Sequence, residues 1–194
     1  MSDASTNRRL LVTGTSGGIG GAVRDAARAQ GWTVVELNRA DWKDVAAARP
    51  LSGPFDAVVF ATGTCPVKPL TALTDGELAE TFAVNCGLFV GLMRRLVREG
   101  QTASTGMKVV AVSSVSAVEG WAGGVAYCAS KGALSAVCRA LDVELQPRKV
   151  SVVAVEPRYV RTRMFEACAG RMGVDPKLAQ EPQALAAEIL DLIR

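Results

Sequence analysis

The sequence predicts an α/β domain on a doubly wound, mostly parallel sheet of about six strands, with helices on both faces. Three observations carry this. Short apolar runs (Arg9–Val12, Thr33–Leu37, Asp56–Ala61, Met107–Val112 and Val150–Val155) alternate with longer helix-forming stretches, the order expected when crossover helices join parallel strands. A glycine-rich turn separates the first run from the first helix, a context in which backbone N–H groups can cradle a phosphate. Gly14, Thr62, Ser114 and Pro157 all fall at the C-terminal ends of runs, where ligands sit in such sheets.

Composition narrows the field. The 194 residues, 49% hydrophobic and 21% charged, suit a single domain spanning 1–194 that buries around 70% of its unfolded surface. A formal charge of +3 without a basic block gives no support for nucleic-acid binding. No apolar run reaches the roughly twenty residues a membrane span needs, and the polar N-terminus does not read as a signal peptide. A cytoplasmic protein is expected. Cys65, Cys86, Cys128, Cys138 and Cys168 include no CxxC pair and read as free, buried thiols. Histidine is absent, which removes Ser-His and Cys-His nucleophiles and His-ligated metals. No metal site is expected, and acid–base chemistry falls to Tyr, Lys, Asp or Glu.

Along the chain, the turn after Arg9–Val12 reads Thr13-Gly14-Thr15-Ser16-Gly17-Gly18-Ile19-Gly20, and Ala22–Gln30 follows as a helix ended by Gly31. Gly14, Gly18 and Gly20 allow a tight turn and close approach to a diphosphate, so Gly14, Ser16, Gly18, Ile19 and Gly20 are the expected dinucleotide contacts. The same stretch fits the GxSxG nucleophile elbow, but that chemistry needs a histidine. No Gly-Lys-Ser/Thr follows, which excludes a P-loop.

Asn38 and Arg39 stand at the end of Thr33–Leu37. An acid near there would bind a ribose 2′-OH and an arginine a 2′-phosphate, so NADP(H) is favoured and NAD(H) stays possible. Glu36 would reverse the preference if it faced the ribose. Asp44–Arg49 has room for a turn or two of helix before Pro50 and Pro54. Thr74 and Glu77 form a capping box for a helix over 75–98. Apolar residues on two sides of it predict burial against the sheet and a second chain, hence a homodimer through helices 75–98 and 125–146. Asn85, in its buried middle, must be hydrogen-bonded, as a strut or as part of a site.

Ser114 ends the Met107–Val112 strand, and Tyr127 and Lys131 stand four apart on helix Val125–Leu145, one above the other. An ammonium there lowers a phenol's pKa, as acid–base work on a carbonyl or alcohol requires. After Pro157 an irregular lid is expected over 158–182, then a short helix, Gln183–Ile193.

Together these residues resemble the short-chain dehydrogenase/reductase family over essentially the whole chain: TGxxxGxG as Thr13–Gly20, the catalytic asparagine as Asn85, the serine as Ser114, and YxxxK as Tyr127 and Lys131. The resemblance implies a Rossmann-type fold and reversible hydride transfer between a nicotinamide and a small-molecule carbonyl or alcohol. It makes Tyr127 the proton donor, Ser114 its partner on the substrate oxygen, Lys131 the group lowering the tyrosine pKa and holding the ribose, and Asn85 a water-positioning residue. It also implies that Asp41 lies near the adenine, Gly63 against the cofactor, and Pro157 and Thr162 in the segment closing over the nicotinamide. The chain departs from the pattern at Phe60-Ala61-Thr62-Gly63, where the family has NNAG, at Arg158, where it has glycine, and at Gly17, where many NADP-preferring members carry a basic residue. Two alternatives stay open: a nucleotide-binding regulatory dimer with reduced catalysis, and an epimerase or dehydratase using the cofactor transiently.

Overall fold

Apolar runs too short for helices and rich in β-branched residues become strands here. A computed structural model describes residues 8–38 and 51–194; Arg39, Asp41 and the expected turn at 44–49 lie outside the described residues. The strands are β1 (Arg9–Thr13), β2 (Thr33–Leu37), β3 (Ala57–Phe60), β4 (Met107–Val112) and β5 (Val150–Val155). They form one sheet in the order β2-β1-β3-β4-β5, parallel throughout. The chain reverses its winding between β1 and β3, where such sheets open a crevice. In register, Thr13 stands opposite Leu37 and Phe60, and Val112 opposite Val155, so the loops that follow leave from one edge.

The period-2 alternation of strand side chains divides the core in two. Leu10, Val12, Ala57, Val59, Val110 and Val112 face helices α1 (Gly18–Ala29) and, later in the chain, α6 (Pro182–Leu192). Leu11, Val58, Phe60, Val109 and Ala111 pack with Phe89, Leu92, Met93, Leu134 and Cys138 on the opposite face. Those come from α3 (Leu88–Arg98) and α4 (Val125–Leu145). This is the doubly wound arrangement expected, with five strands among the described residues.

Two elements differ from the reading of the sequence. The helix expected over 75–98 is not continuous: α2 (Asp75–Phe82) and α3 flank a widened π-type turn, Ala83–Gly87. The wider turn rotates Asn85 inward to complete burial, and such turns recur where a helix must present a side chain. The capping box at Thr74 and Glu77 is present in both directions. The segment 158–182 is not irregular, because it contains the ten-residue helix α5 (Arg163–Met172), capped by Thr162 and ended by Gly173 at φ +66. No helix among the described residues is long and apolar enough to cross a membrane.

Candidate active site

The turn after β1 is shaped by what its glycines lack. Gly14 has φ +69, and a Cβ there would lie 2.7 Å from the Ala61 carbonyl oxygen. A Cβ on Gly20 would come within 2.4 Å of the Gly14 oxygen. The backbone therefore folds flat onto the start of α1, whose first turn carries no acid and no side-chain cap among the described residues. Its N–H groups and the positive end of the helix dipole point where an anion is favoured.

Behind the turn, the Thr15 hydroxyl donates to Glu36 Oε2 at 2.5 Å and lies 3.0 Å from Asn38 Oδ1, which also accepts the Ser16 N–H at 3.2 Å. Glu36 is further held by Arg28 at 2.8 Å and Arg24 at 3.6 Å. The Thr15 hydroxyl first, then both guanidiniums, hold its carboxyl below the usual range. The carboxylate that could have faced a ribose is thus turned towards Thr15 and α1.

Next along the edge, the Thr62 hydroxyl donates to Thr13 Oγ1 at 2.9 Å. Gly63 leaves a gap: a Cβ there would lie 3.4 Å from Asn85 Oδ1 and 3.6 Å from Lys131 Nζ. Asn85 is a buried strut. Its Nδ2 donates to Thr64 O and Ser130 Oγ, both at 2.9 Å, and its Oδ1 accepts Thr64 N–H at 2.7 Å. One amide thus ties the loop after β3 to α4.

On α4, Lys131 is 4% exposed, donates from Nζ to Val112 O at 2.8 Å, and holds Nζ 5.7 Å from the centre of the Tyr127 ring. The helical spacing does bring the two side chains to one face. Burial pulls the Lys131 amine down to about 8. The phenol departs from the expectation. Burial pushes Tyr127 up, and the neighbouring Ser114 hydroxyl pulls the other way without prevailing. An amine that spends a donor on a carbonyl and is itself weakened by burial exerts little pull on its neighbour. Trp121 lies against Tyr127, ring centres 6.3 Å apart, and donates from Nε1 to Ser116 Oγ at 3.1 Å.

The far wall is the segment after β5. Pro157 O accepts the Val115 N–H at 3.1 Å, and Thr162 caps α5 by accepting the Phe165 N–H at 3.2 Å. A Cβ on Gly18 would meet Thr162 Cγ2 at 2.8 Å, so α5 begins directly over the glycine turn.

A cleft of about 1040 Å³ joins these parts, lined by Gly14, Ser16, Gly18, Ile19, Gly63, Ser114, Tyr127, Lys131, Pro157 and Thr162. Of the other expected residues, Gly20 and Asn85 are buried and Asn38 sits behind Thr15. Trp121 and Arg158 also line the cleft, as do Arg24, Cys65 and Cys168, which were not foreseen as site residues. Only Arg24, one turn past the glycines on an amphipathic helix, left a usable signal. All five cysteines are free, and no metal-binding cluster occurs among the described residues.

A wholly parallel sheet with a glycine turn at its switch point, and a Tyr/Lys pair facing it across one cleft, defines a dinucleotide-fold oxidoreductase class. Residues 39–171 match the family model described as short chain dehydrogenase, and the chain belongs to that family. It is a nicotinamide-dependent oxidoreductase. It is similar to L-xylulose reductase of Bos taurus, 29% identical over 82% of this chain and 75% of the relative. It also resembles carbonyl reductase [NADPH] 2 of Sus scrofa, 26% identical over 95% of this chain and 85% of the relative. In fold it is similar to a short chain dehydrogenase family protein from Francisella tularensis subsp. tularensis, with TM-score 0.81 at 18% identity, covering 96% of this chain and 91% of the other.

Proposed function

We propose that this chain is an NADP(H)-dependent enzyme that interconverts a small-molecule carbonyl and its secondary alcohol, with Tyr127 as general acid and base. The observation that carries this reading is the Tyr127 phenol, its ring centre 5.7 Å from Lys131 Nζ, sharing with Ser114 a cleft continuous with the glycine turn.

The residues present fit a nicotinamide dinucleotide. Gly14, Gly18 and Gly20, with Ser16 and Ile19, offer a flat backbone and an uncapped helix start to a diphosphate. Gly63 leaves room beside Lys131, and Pro157 and Thr162 border the other side. When bound, the dinucleotide supplies or accepts the hydride. The protein's own part is to manage charge on the substrate oxygen. Burial keeps the Tyr127 phenol protonated, the state from which it donates as a carbonyl oxygen gains negative charge, and Ser114 offers a second hydrogen bond to that oxygen. Donors aimed at charge that develops only in the transition state act there most strongly. Lys131 places a buried amine beside the phenol, and Asn85 fixes the Thr64 loop and α4 at a constant spacing around it.

Support for NADP(H) over NAD(H) comes from the β2 end. Asn38 supplies no acid, Glu36 is engaged by Thr15, Arg24 and Arg28, and the Sus scrofa relative carries NADPH in its name. Arg39 and Asp41 complete the proposed adenosine end. The chain 1–194 acts as one domain with 158–182 as the substrate-side lid. It works as a homodimer through 75–98 and 125–146, where Phe82, Val90, Val125 and Val143 stand exposed. Five free thiols favour a reducing compartment, the cytoplasm.

Tyr127→Phe tests the reading. It is expected to lose at least about 10²-fold in kcat while still binding NADPH by fluorescence titration. Retained turnover of a competent ketone would refute the assignment.

A further inference from the structure

The cleft's substrate end carries a cation that the hydride-transfer chemistry leaves unused. Arg158 follows Pro157, whose carbonyl holds Val115 beside Ser114, and it lines the same cleft as Ser114 and Tyr127. Its guanidinium is oriented from outside the cleft. Glu119, beyond the lining residues, takes Nη2 at 2.7 Å and Nη1 at 3.3 Å. A guanidinium has five N–H donors in a rigid fork, and this pairing occupies two, leaving three.

Of the other lid cations, Arg161 pairs with Glu181 at 2.6 Å and Arg171 donates to Val67 O at 2.9 Å, while Arg163, at the start of α5, also lines the cleft. Of the carboxylates lining the cleft, Asp25 pairs with Arg24 at the glycine-turn end, at 2.8 Å. Glu166 stands on α5, exposed. Trp121, Tyr159, Met164 and Phe165 supply apolar wall between.

Resting on the hydride-transfer reading above, we propose that the substrate is an oxo acid or hydroxy acid, its carboxylate read by Arg158 and its short apolar chain lying along Trp121. Arg158 is a specificity residue: it binds the anion and leaves proton movement to Tyr127.

The test pairs 2-, 3- and 4-oxopentanoate with their methyl esters, using NADPH. In the wild type at least one acid is expected to exceed its ester about tenfold or more in kcat/KM, as a charge-assisted hydrogen bond implies. In Arg158→Ala that ratio falls to within about twofold, through KM, while Arg158→Lys retains part of it. Glu119→Gln keeps or raises it, because a competing carboxylate is gone. Calorimetric titration of each acid into protein with NADP⁺ reads binding alone, with about tenfold weakening expected in Arg158→Ala. Acids and esters turned over alike would overturn the inference and leave the oxidoreductase standing. No turnover of any of the six, with acids still bound through Arg158, would uphold the anion site and sink the hydride-transfer reading. Acid binding indifferent to Arg158 would overturn the inference.

Discussion

Lys131 is buried with one donor on the Val112 carbonyl and its amine pulled down by burial to about 8, from 10.5. That is a cost to folding, and its sign follows from proton counting. Below about 8 the amine is charged in both states, and the folded state bears the full penalty of burying it. Between 8 and 10.5 the unfolded chain binds the extra proton, so stability contributed by this group rises with pH. Lys131→Met is therefore expected to be inactive yet more stable at pH 7, by about 1–3 kcal/mol after loss of the bond to Val112. The gap should close towards pH 10.5, as urea denaturation across that range would show. Glycines give a second contrast at this scale. Gly20→Ala places a methyl 2.4 Å from backbone oxygen and is expected to abolish dinucleotide binding or folding. Gly31→Ala, at φ +83 in open space, should cost only about 1 kcal/mol of backbone strain. The Tyr/Lys spacing and the glycine turn were legible residue by residue, because both follow from local geometry. The rise in the Tyr127 pKa was not, since it depends on which distant segments cover the phenol.

Among the elements, α2 shows how closely a local rule is kept. Thr74 accepts the Glu77 N–H at 3.3 Å, and Glu77 takes the Thr74 N–H in return at 3.1 Å. Thr74→Ala is expected to cost about 1 kcal/mol and lower the Tm by a few degrees, measurable by calorimetry. Continuity of the next helix could not be read in the same way. The apolar stripes through Phe89, Met93 and Leu96 fit an unbroken helix, and the widened turn at Ala83–Gly87 exists to seat Asn85 between Thr64 and Ser130. Helix α5 did leave a signal, Phe165, Cys168 and Ala169 at helical spacing and all buried. Gly170 and Gly173 nearby disguised it as loop.

At the scale of the molecule, the parallel register brings segments 48 or more residues apart onto one edge, as in the Ala61 N–H bond to Thr13 Oγ1. The same winding leaves Val143 76% exposed on α4 and Val125 46% exposed. If the proposed homodimer covers them, Val143→Asp is expected to shift the sedimenting species from dimer to monomer with the far-UV spectrum unchanged. A monomeric wild type would remove the dimer. By itself the sequence determined the strand runs, the glycine turn, the capping box and the pairing of Tyr127 with Lys131, because each rests on propensity or periodicity within about a dozen residues. Only the tertiary structure decided that Glu36 turns towards Arg24, Arg28 and Thr15, that α5 starts over Gly18, and that Arg158, on the cleft wall, pairs with Glu119. Those contacts join segments with no pattern in common, and packing of the sheet's two faces is what brings them together.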